Sequence, residues 1–232
     1  MDKIQAVILA AGKGTRMLPL TTSVPKPMQE VLSKNLLEWK IEALPEEVDE
    51  VILVIGYLGD VIRDYFGDEY LGKKIRYVVQ TELNGTGGAL WMTKEFLRDR
   101  FIVMMGDDLY GKDDIKQILS YEWAIGGYPV WQRETGGEIT KDEKGNFNTI
   151  KEERHYVNDG YVNTNLLMLR KDLFNEALVQ IPNKTEFGLP HTLLPLSLKI
   201  GVPLIEVKEW FQITAPEDLV AAEKFLQKNS IV

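Results

Sequence analysis

Short apolar runs alternate with segments of helical period along the first half of the chain. The runs that predict strands are Ala6 to Ala10, Glu50 to Ile55, Ile75 to Val79 and Phe101 to Met105. Between them, apolar residues recur near the helical period, in the sets Leu36, Leu37, Ile41, Leu44; Val61, Ile62, Tyr65, Phe66; and Leu90, Phe96, Leu97. Continuously apolar strands are typical of a parallel sheet covered on both faces. The alternation therefore predicts an α/β fold with a mixed, mostly parallel sheet and helices on both faces.

The pattern changes from about Trp123. The stretch that follows is rich in glycine and charge, with short β-prone pieces and turn signals such as Lys144-Gly145-Asn146, which predict a small antiparallel excursion. Apolar runs at Val162 to Leu169 and Pro203 to Val207 predict further strands. A closing helix is expected from Pro216 to Leu226, because proline is favoured in the first turn of a helix.

Composition limits the classes of partner. With 232 residues, 44% of them hydrophobic, and no internal repeat or low-complexity linker, the chain 1–232 is expected to form one domain. A net charge of −8 argues against a nucleic-acid partner. The absence of cysteine excludes disulfides and thiolate chemistry. The apolar stretch Ala6 to Ala11 is too short for a membrane span and lacks signal-peptide flanks, so we expect no membrane partner and a cytoplasmic protein. The sequence does not indicate whether the protein is a homo-oligomer.

The loop after the first predicted strand carries the most specific pattern. It reads LAAGKGTRMLPLTTSVPKPM, from Leu9 to Met28. Such a glycine-rich loop can turn backbone amides toward phosphate, and its arginine and lysine add positive charge. No Gly-Lys-Ser/Thr tripeptide of a Walker loop occurs, and Met17 stands where a dinucleotide fingerprint needs its third glycine. The alternative is a strand-to-helix turn with incidental basic residues. Against it, two prolines hold Lys26 on a rigid segment, for which packing gives no reason.

This stretch closely resembles the signature of the sugar-1-phosphate nucleotidylyltransferases, a Gly-x-Gly-Thr-Arg loop followed by Pro-Lys-Pro. The resemblance implies the Rossmann-like nucleotide-diphospho-sugar transferase fold. It also implies an Mg²⁺-dependent enzyme that transfers a nucleotidyl group from an NTP to a sugar 1-phosphate, which yields an NDP-sugar and pyrophosphate. Arg16 and Lys26 would then be the catalytic residues. The nucleotide-binding residues implied in this loop are Leu9, Ala10, Ala11, Gly12, Gly14 and Thr15.

Two later segments extend the resemblance. In the segment that leads to the family's base pocket, Gln80 would read the base edge, and Gly85 and Thr86 would let the backbone approach it. The alternatives are an ordinary turn at Asn84-Gly85 and a surface glutamine at a strand end. After the fourth predicted strand, Asp107 looks like the aspartate of the family's Gly-Asp, at the edge where open parallel sheets place their ligands. It would be the Mg²⁺ ligand, unless it is a turn or helix-capping aspartate.

For the residues that would bind the sugar, the resemblance rests only on their order along the chain. Gly137, Glu152 and Asn163 follow the family's sequence of a glycine, a glutamate and an asparagine that contact the sugar. In a charged hairpin, such a glycine and glutamate are equally typical of a turn and a solvated face. Asn163 lies in an otherwise apolar strand, where a buried amide needs a hydrogen-bond partner.

One departure concerns the second metal ligand. Where the family often has Asp-Ile-Gly-Thr-Pro, this chain has Gln-Ile-Thr-Ala-Pro, so Gln212 offers a neutral amide oxygen without charge. Asp218 is assigned to the first turns of the closing helix, where negative charge is favourable. The departure leaves open a non-catalytic, nucleotide-sensing homologue. A nucleotide-sugar-dependent glycosyltransferase is less consistent with the chain, since no Asp-x-Asp motif occurs. His155 and His191 lack zinc-site spacing, and we expect packing or surface roles for both.

The nucleotide and the sugar are not fixed by these motifs. The amide of Gln80 has both a donor and an acceptor, which suits uracil or thymine, so we expect UTP or dTTP in preference to GTP. Because an amide can also pair with guanine, GTP stays open.

Overall fold

The computed structural model describes residues 3–129, 137–152 and 160–228. Its strands are β1 (Ile4–Ala10), β2 (Glu30–Val31), β3 (Lys34–Asn35), β4 (Val48–Ile55), β5 (Glu69–Tyr70), β6 (Lys73–Val79), β7 (Arg100–Met105), β8 (Asp108–Tyr110), β9 (Ala124–Pro129), β10 (Glu138–Lys141), β11 (Phe147–Lys151), β12 (Tyr161–Arg170), β13 (Leu204–Glu206) and β14 (Trp210–Gln212). Its helices are α1 (Leu36–Ala43), α2 (Gly59–Phe66), α3 (Gly85–Trp91), α4 (Lys112–Leu119), α5 (Leu189–Ile200) and α6 (Glu217–Lys228). Short 3₁₀ turns occupy Thr15–Met17, Leu20–Thr22, Lys26–Met28, Lys94–Phe96 and Lys171–Asn175.

A mixed sheet forms the centre of the molecule. Its strand order is β11-β10-β12-β7-β1-β4-β6-β5, and β9 pairs with both β12 and β13. The strands predicted from the first half, β1, β4, β6 and β7, pair in parallel with their neighbours in this group. Strand β12 joins them antiparallel to β7. The predicted parallel core of the sheet is therefore confirmed.

Helices cover both faces of this sheet, as the strand pattern predicts. On one face, Ile41 of α1 and Ile62 of α2 lie in a buried cluster with alternate residues of β1 and β4. On the other, Leu90 of α3 and Leu193 of α5 join the cluster formed by the intervening strand residues. Because both sides of each central strand are buried, the strands read as continuous apolar runs. No helix in the described ranges is long and apolar enough to cross a bilayer.

The second half matches its predicted antiparallel character. Strand β12 runs antiparallel to β9, and β10 and β11 form a hairpin in which Gly145 has φ +85°. The predicted strand at Pro203 to Val207 is β13, and the predicted closing helix is α6. The small strands β8 and β14, which pair antiparallel, are not predicted from the sequence. A strand of three residues is too short to show a hydrophobic periodicity.

One helix prediction extends too far. The apolar pattern through Leu97 predicts a single helix, but α3 ends at Trp91 and only a 3₁₀ turn follows. Both the backbone N–H and the hydroxyl of Thr93 donate to the carbonyl of Leu90, at 2.9 and 2.7 Å. These bonds span three residues in place of the four of an α-helix, so the α-helix does not continue, and Phe96 is exposed.

Candidate active site

The sheet topology brings the first loop and Asp107 to one place. Strands β1 and β7 are parallel neighbours, with Leu9 opposite Met105 at their carboxyl ends. Immediately beyond, the N–H of Gly106 donates to the carbonyl of Leu9 at 2.8 Å. The loop after β1 and the turn after β7 therefore leave the sheet side by side, at the edge where open α/β sheets bind ligands.

Lys26 crosses from the loop to Asp107. Its Nζ lies 2.5 Å from Oδ2 of Asp107, and the lysine is buried to all but 7% of its surface. Pro25 and Pro27 flank it, and its backbone opens the 3₁₀ turn Lys26–Met28. An ammonium group has three N–H donors, so one bond to Asp107 leaves two for an anionic ligand. The rigid segment predicted from Pro-Lys-Pro thus presents a fixed cation beside a carboxylate.

Gly14 is required by this arrangement on two counts. Its φ is +61°, in the left-handed region that side chains disfavour. A Cβ added at this position would also lie 2.9 Å from Cβ of Lys26. The hydroxyl of Thr21 donates to the Gly14 carbonyl at 2.9 Å and holds the turn closed. The second glycine of the motif therefore allows the turn to form and leaves room for the side chain of Lys26 against it.

A cavity of about 220 Å³ opens above the Lys26–Asp107 pair. Its wall combines loop backbone with charged and polar side chains, which include those of Arg16 and Thr214. Arg16 is exposed, and within the described ranges no ion pair or hydrogen bond is recorded for its guanidinium. Its side chain is consequently available to an anion that enters the cavity.

A second cavity of about 340 Å³ adjoins the first. Leu9, Gly12 and Met105 line both, and the second one is completed by residues from the predicted base segment. Those residues include Gln80, Gly85 and Thr86. The predicted phosphate-binding and base-binding residues therefore line one continuous depression, with the glycine loop at its centre.

Gly85 is confined by the protein as well as facing the cavity. Its φ is +95°, and an added Cβ would lie 2.4 Å from the carbonyl oxygen of Phe187. The hydroxyl of Thr86 accepts a hydrogen bond from the N–H of Leu189 at 3.0 Å. The Gly-Thr pair thus docks the start of α3 against the segment that leads into α5, a packing role that the sequence motif does not reveal.

The three predicted sugar-binding residues lie together. The N–H of Asn163 donates to the carbonyl of Gly137 at 2.9 Å, and a Cβ added at Gly137 would be 3.3 Å from Oε1 of Glu152. Asn163 is only half-buried, and its amide exchanges hydrogen bonds with Asn165 at 3.0 and 3.1 Å. Asn165 therefore already gives this amide one acceptor and one donor, so the argument from a buried amide without a partner does not hold. The sugar-binding role of Asn163 stays a prediction. The described residues that line the two cavities do not include these three.

Glu152 has two cationic or polar neighbours that sequence reasoning missed. Nζ of Lys184 lies 3.3 Å from Oε2 of Glu152, and Nε2 of His191 lies 3.8 Å from Oε1. Both neighbours follow β12 in the sequence, so only the tertiary fold brings them to this carboxylate. Burial lowers the pKa of His191, and the nearby Lys184 acts in the same direction, whereas Glu152 raises it. His191 thus has the packing role expected of it, with Glu152 beside it, whereas His155 lies outside the described residues.

The lowered pKa of His191 gives a pH-dependent stability contribution. A histidine whose folded-state pKa lies below its unfolded value takes up its proton more readily when unfolded. We therefore expect the free energy of unfolding of the wild type to fall between pH 7 and pH 5 by more than that of His191→Gln. Denaturant titrations of both proteins at the two pH values measure this difference. Parallel losses in the two proteins would show that the histidine does not contribute.

A buried polar cluster supports the turn that carries Asp107. Asp108 is buried and accepts a hydrogen bond from Nε1 of Trp210 at 3.0 Å. Burial raises the pKa of Asp108, and the charge of Asp107 adds to the effect. Burial also lowers the pKa of Lys40, whose Nζ donates to the carbonyl of Leu36 at 3.1 Å. Of this cluster, only Asp108 had a visible signal, since it adjoins Asp107 in the sequence.

Gln212 lies beside this turn, in the place where the family's second metal aspartate is expected. In the β8–β14 pair, its backbone is directly opposite Asp108. Asp218 is in the first turn of α6, as predicted, and its carboxylate accepts from the N–H groups of Thr214 and Ala215 at 2.6 and 2.8 Å. The aspartate therefore holds the connection between β14 and α6.

The described residues contain no cluster of three or more acidic or histidine side chains suited to a metal ion. Among the described residues that line the first cavity, Asp107 is the one with a carboxylate, and the backbone of Gln212 lies opposite its neighbour Asp108 in the β8–β14 pair. Magnesium takes oxygen ligands, and it commonly uses one or two protein carboxylates together with water and substrate phosphates. The donor set fits magnesium of this kind and does not fit zinc.

Comparisons with known proteins agree with the sequence motif. A family described as nucleotidyl transferase matches residues 5–181. The bifunctional protein GlmU of Methanocaldococcus jannaschii is 30% identical over 225 residues, which cover 96% of this chain and 54% of that protein. The chain thus spans about half the length of this and similar GlmU relatives.

Other relatives are covered over more of their length. The D-glycero-alpha-D-manno-heptose 1-phosphate guanylyltransferase of Campylobacter jejuni is 34% identical over 76% of this chain and 80% of its own. UTP–glucose-1-phosphate uridylyltransferase AglF of Haloferax volcanii is 28% identical over 98% of each chain. The crystal structure of HddC from Yersinia pseudotuberculosis has 27% identity and a TM-score of 0.73, over 95% of this chain and 98% of that one. These matches confirm the fold class, and the chain belongs to the nucleotidyl transferase family that the resemblance of its first loop predicted.

Proposed function

We propose that this protein transfers a nucleotidyl group from a nucleoside triphosphate to a sugar 1-phosphate and releases pyrophosphate. The observation that carries the proposal is the placement of Arg16, Lys26 and Asp107 around one cavity that adjoins the cavity of Gln80. Along this depression, Gln80 could bind a base, Arg16 and Lys26 could bind phosphates, and Asp107 could bind a metal ion. Relatives named as guanylyl- and uridylyltransferases of sugar 1-phosphates support the same reaction class.

The reaction needs little from the protein beyond position and charge. An oxygen of the sugar phosphate attacks the α-phosphorus of the triphosphate, the bond to the β-phosphate breaks, and pyrophosphate leaves. The attacking oxygen is already ionised at neutral pH, so no general base is required. Phosphoryl chemistry of this kind depends on alignment and on stabilising the developing charge.

The chain's cations have separate tasks in this scheme. The loop amides from Gly12 to Thr15, together with Arg16, bind the two phosphates that leave as pyrophosphate. Lys26, which Asp107 holds in place at 2.5 Å, directs its remaining N–H groups to the phosphate of the incoming sugar. For a protein with a net charge of −8, such local positive charge is required before two anionic substrates can meet.

Asp107 is the residue that would hold Mg²⁺, with Gln212 as a neutral neighbour. Bound Mg²⁺ would neutralise phosphate charge at the reacting centre. Because Asp107 also pairs with Lys26, the same carboxylate would position both the Mg²⁺ ion and the Lys26 ammonium group. In this scheme, the phosphate of the sugar binds next to Lys26. The residues proposed to contact the sugar itself are Gly137, Glu152 and Asn163.

A pyrophosphate-release screen tests the proposal. UTP, dTTP, GTP and CTP are each combined with the 1-phosphates of glucose, galactose, mannose, N-acetylglucosamine and manno-heptose, with and without Mg²⁺. We expect release that requires both substrates and Mg²⁺, with UTP or dTTP preferred to GTP. Reactions without sugar phosphate serve as the control. Release that is independent of the sugar phosphate, or no release from any pair, would contradict the proposed activity.

A further inference from the structure

We propose that Asn84 determines base specificity by fixing the side-chain amide of Gln80 with its carbonyl oxygen toward the base. The site would then favour bases with a protonated ring nitrogen, namely uracil, thymine and guanine, over cytosine and adenine. This inference rests on the proposed function, since it assumes that the cavity at Gln80 receives a nucleotide base. It assigns a role to a residue that lines neither of the two cavities.

The amide of Gln80 is held in one orientation. Gln80 is 6% exposed, and its backbone N–H donates to the carbonyl of Ile55 at 2.8 Å. Its Nε2 donates to Oδ1 of Asn84 at 3.1 Å and lies 3.5 Å from the carbonyl of Gly85. A backbone carbonyl can only accept, so the nitrogen of the amide must face this side. The structure records no partner for Oε1 among the described residues, and this atom belongs to a side chain that lines the cavity.

Asn84 is itself fixed from two directions. Its N–H donates to the carbonyl of Glu82 at 2.8 Å, and its carbonyl accepts from the N–H of Phe187 at 2.7 Å. Its side chain lies over Gly88, where an added Cβ would be 1.8 Å from Oδ1 of Asn84. The glycine thus leaves the space that the asparagine side chain occupies, and the three residues Gln80, Asn84 and Gly88 form one packed unit.

This geometry changes what Gln80 offers to a base. The sequence alone suggests that both a donor and the acceptor of this amide contact the base, but its two N–H groups are directed to Asn84 and to the carbonyl of Gly85. An acceptor at the centre of the base edge pairs with the ring N–H of uracil, thymine or guanine. In cytosine and adenine that ring nitrogen is a bare acceptor, and two facing acceptors leave a buried polar group unpaired.

Affinity for nucleotides tests the inference without depending on turnover. Dissociation constants of UTP, dTTP, GTP, CTP and ATP are measured by titration calorimetry for the wild type, Asn84→Ala, Asn84→Asp, Gly88→Ala and, as a control in the same loop, Glu82→Ala. We expect the wild type to bind at least one of UTP, dTTP and GTP about tenfold more tightly than CTP and ATP.

In Asn84→Ala, Nε2 of Gln80 keeps only the 3.5 Å contact with the carbonyl of Gly85, so the amide is held less firmly in one orientation. The preference should therefore shrink about fivefold, or about 1 kcal/mol. Gly88→Ala should do the same, because its methyl group displaces the Asn84 side chain while alanine suits a helix. Asn84→Asp retains the acceptor and should keep the wild-type ratio, although its charge weakens binding of all nucleotides alike. Glu82→Ala should leave the ratio unchanged.

Four outcomes overturn the inference: a wild type that prefers CTP or ATP, an unchanged ratio in both Asn84→Ala and Gly88→Ala, a ratio lost in Asn84→Asp, or an equal loss in Glu82→Ala. Thermal melting of each variant identifies any that fails to fold, and the two independent variants, at positions 84 and 88, keep the test valid. A wild type that shows the expected preference but releases no pyrophosphate would contradict the proposed activity and leave the role of Asn84 standing.

Discussion

Replacing either cation of the first loop should lower turnover by about 100-fold or more while the protein stays folded. A preorganised charge at a phosphoryl centre supplies about 3 to 4 kcal/mol of transition-state stabilisation. Lys26→Ala removes the ammonium that pairs with Asp107 at 2.5 Å, and Arg16→Ala removes the exposed guanidinium of the same cavity. Steady-state kinetics with the best substrate pair measure the effect on kcat.

Two further variants sharpen this test. Lys26→Arg should not restore full activity, because a planar guanidinium cannot replace a compact ammonium between Asp107 and a phosphate. Lys224→Ala, which removes an exposed lysine of α6, is the matched control and should turn over at the wild-type rate. Near wild-type kcat for both Arg16→Ala and Lys26→Ala, with melting curves that match the control, would mean that the loop is not catalytic.

Asp107→Asn should nearly abolish turnover, by about 100-fold or more at any Mg²⁺ concentration. Among the described residues that line the cavity of Arg16 and Lys26, Asp107 is the one with a carboxylate, and the substitution removes its Coulomb attraction for Lys26 and for the proposed metal ion. Asp113→Asn, at an exposed carboxylate in the first turn of α4, is the matched control. A magnesium titration of kcat for each protein measures the loss. If high Mg²⁺ restored the kcat of Asp107→Asn, the carboxylate would contribute only to metal affinity, and the prediction would be wrong.

Gln212→Asp should lower the Mg²⁺ concentration at half-maximal rate, because a second carboxylate near Asp107 adds attraction for the ion. The wild type should be active but require more Mg²⁺ than this variant does, since a single protein carboxylate, on Asp107, is proposed to hold the ion. The same titration examines the alternative of a nucleotide-sensing homologue. A wild type that binds nucleotide without turnover, and a Gln212→Asp variant that turns over, would favour that alternative.

The sequence by itself determined the parallel core of the sheet and the identity of the first loop. Both are local signals: β1, β4, β6 and β7 are continuous apolar runs because each is covered on two faces. The loop motif is equally local, since the chain direction after β1 depends on its own glycines and prolines. Gly14 illustrates this, because glycine permits the φ of +61° that the turn adopts.

The tertiary structure decided everything that depends on distant segments. Trp210 reaches Asp108 across 102 positions, and Lys184 and His191 reach Glu152 only through the packing of the segment that follows β12. No periodicity marks these contacts, because each joins one residue to one other. The amide of Gln80 shows the limit most clearly: its residue type allows a donor and an acceptor, and the position of Asn84 Oδ1, 3.1 Å away, decides which of them faces the cavity.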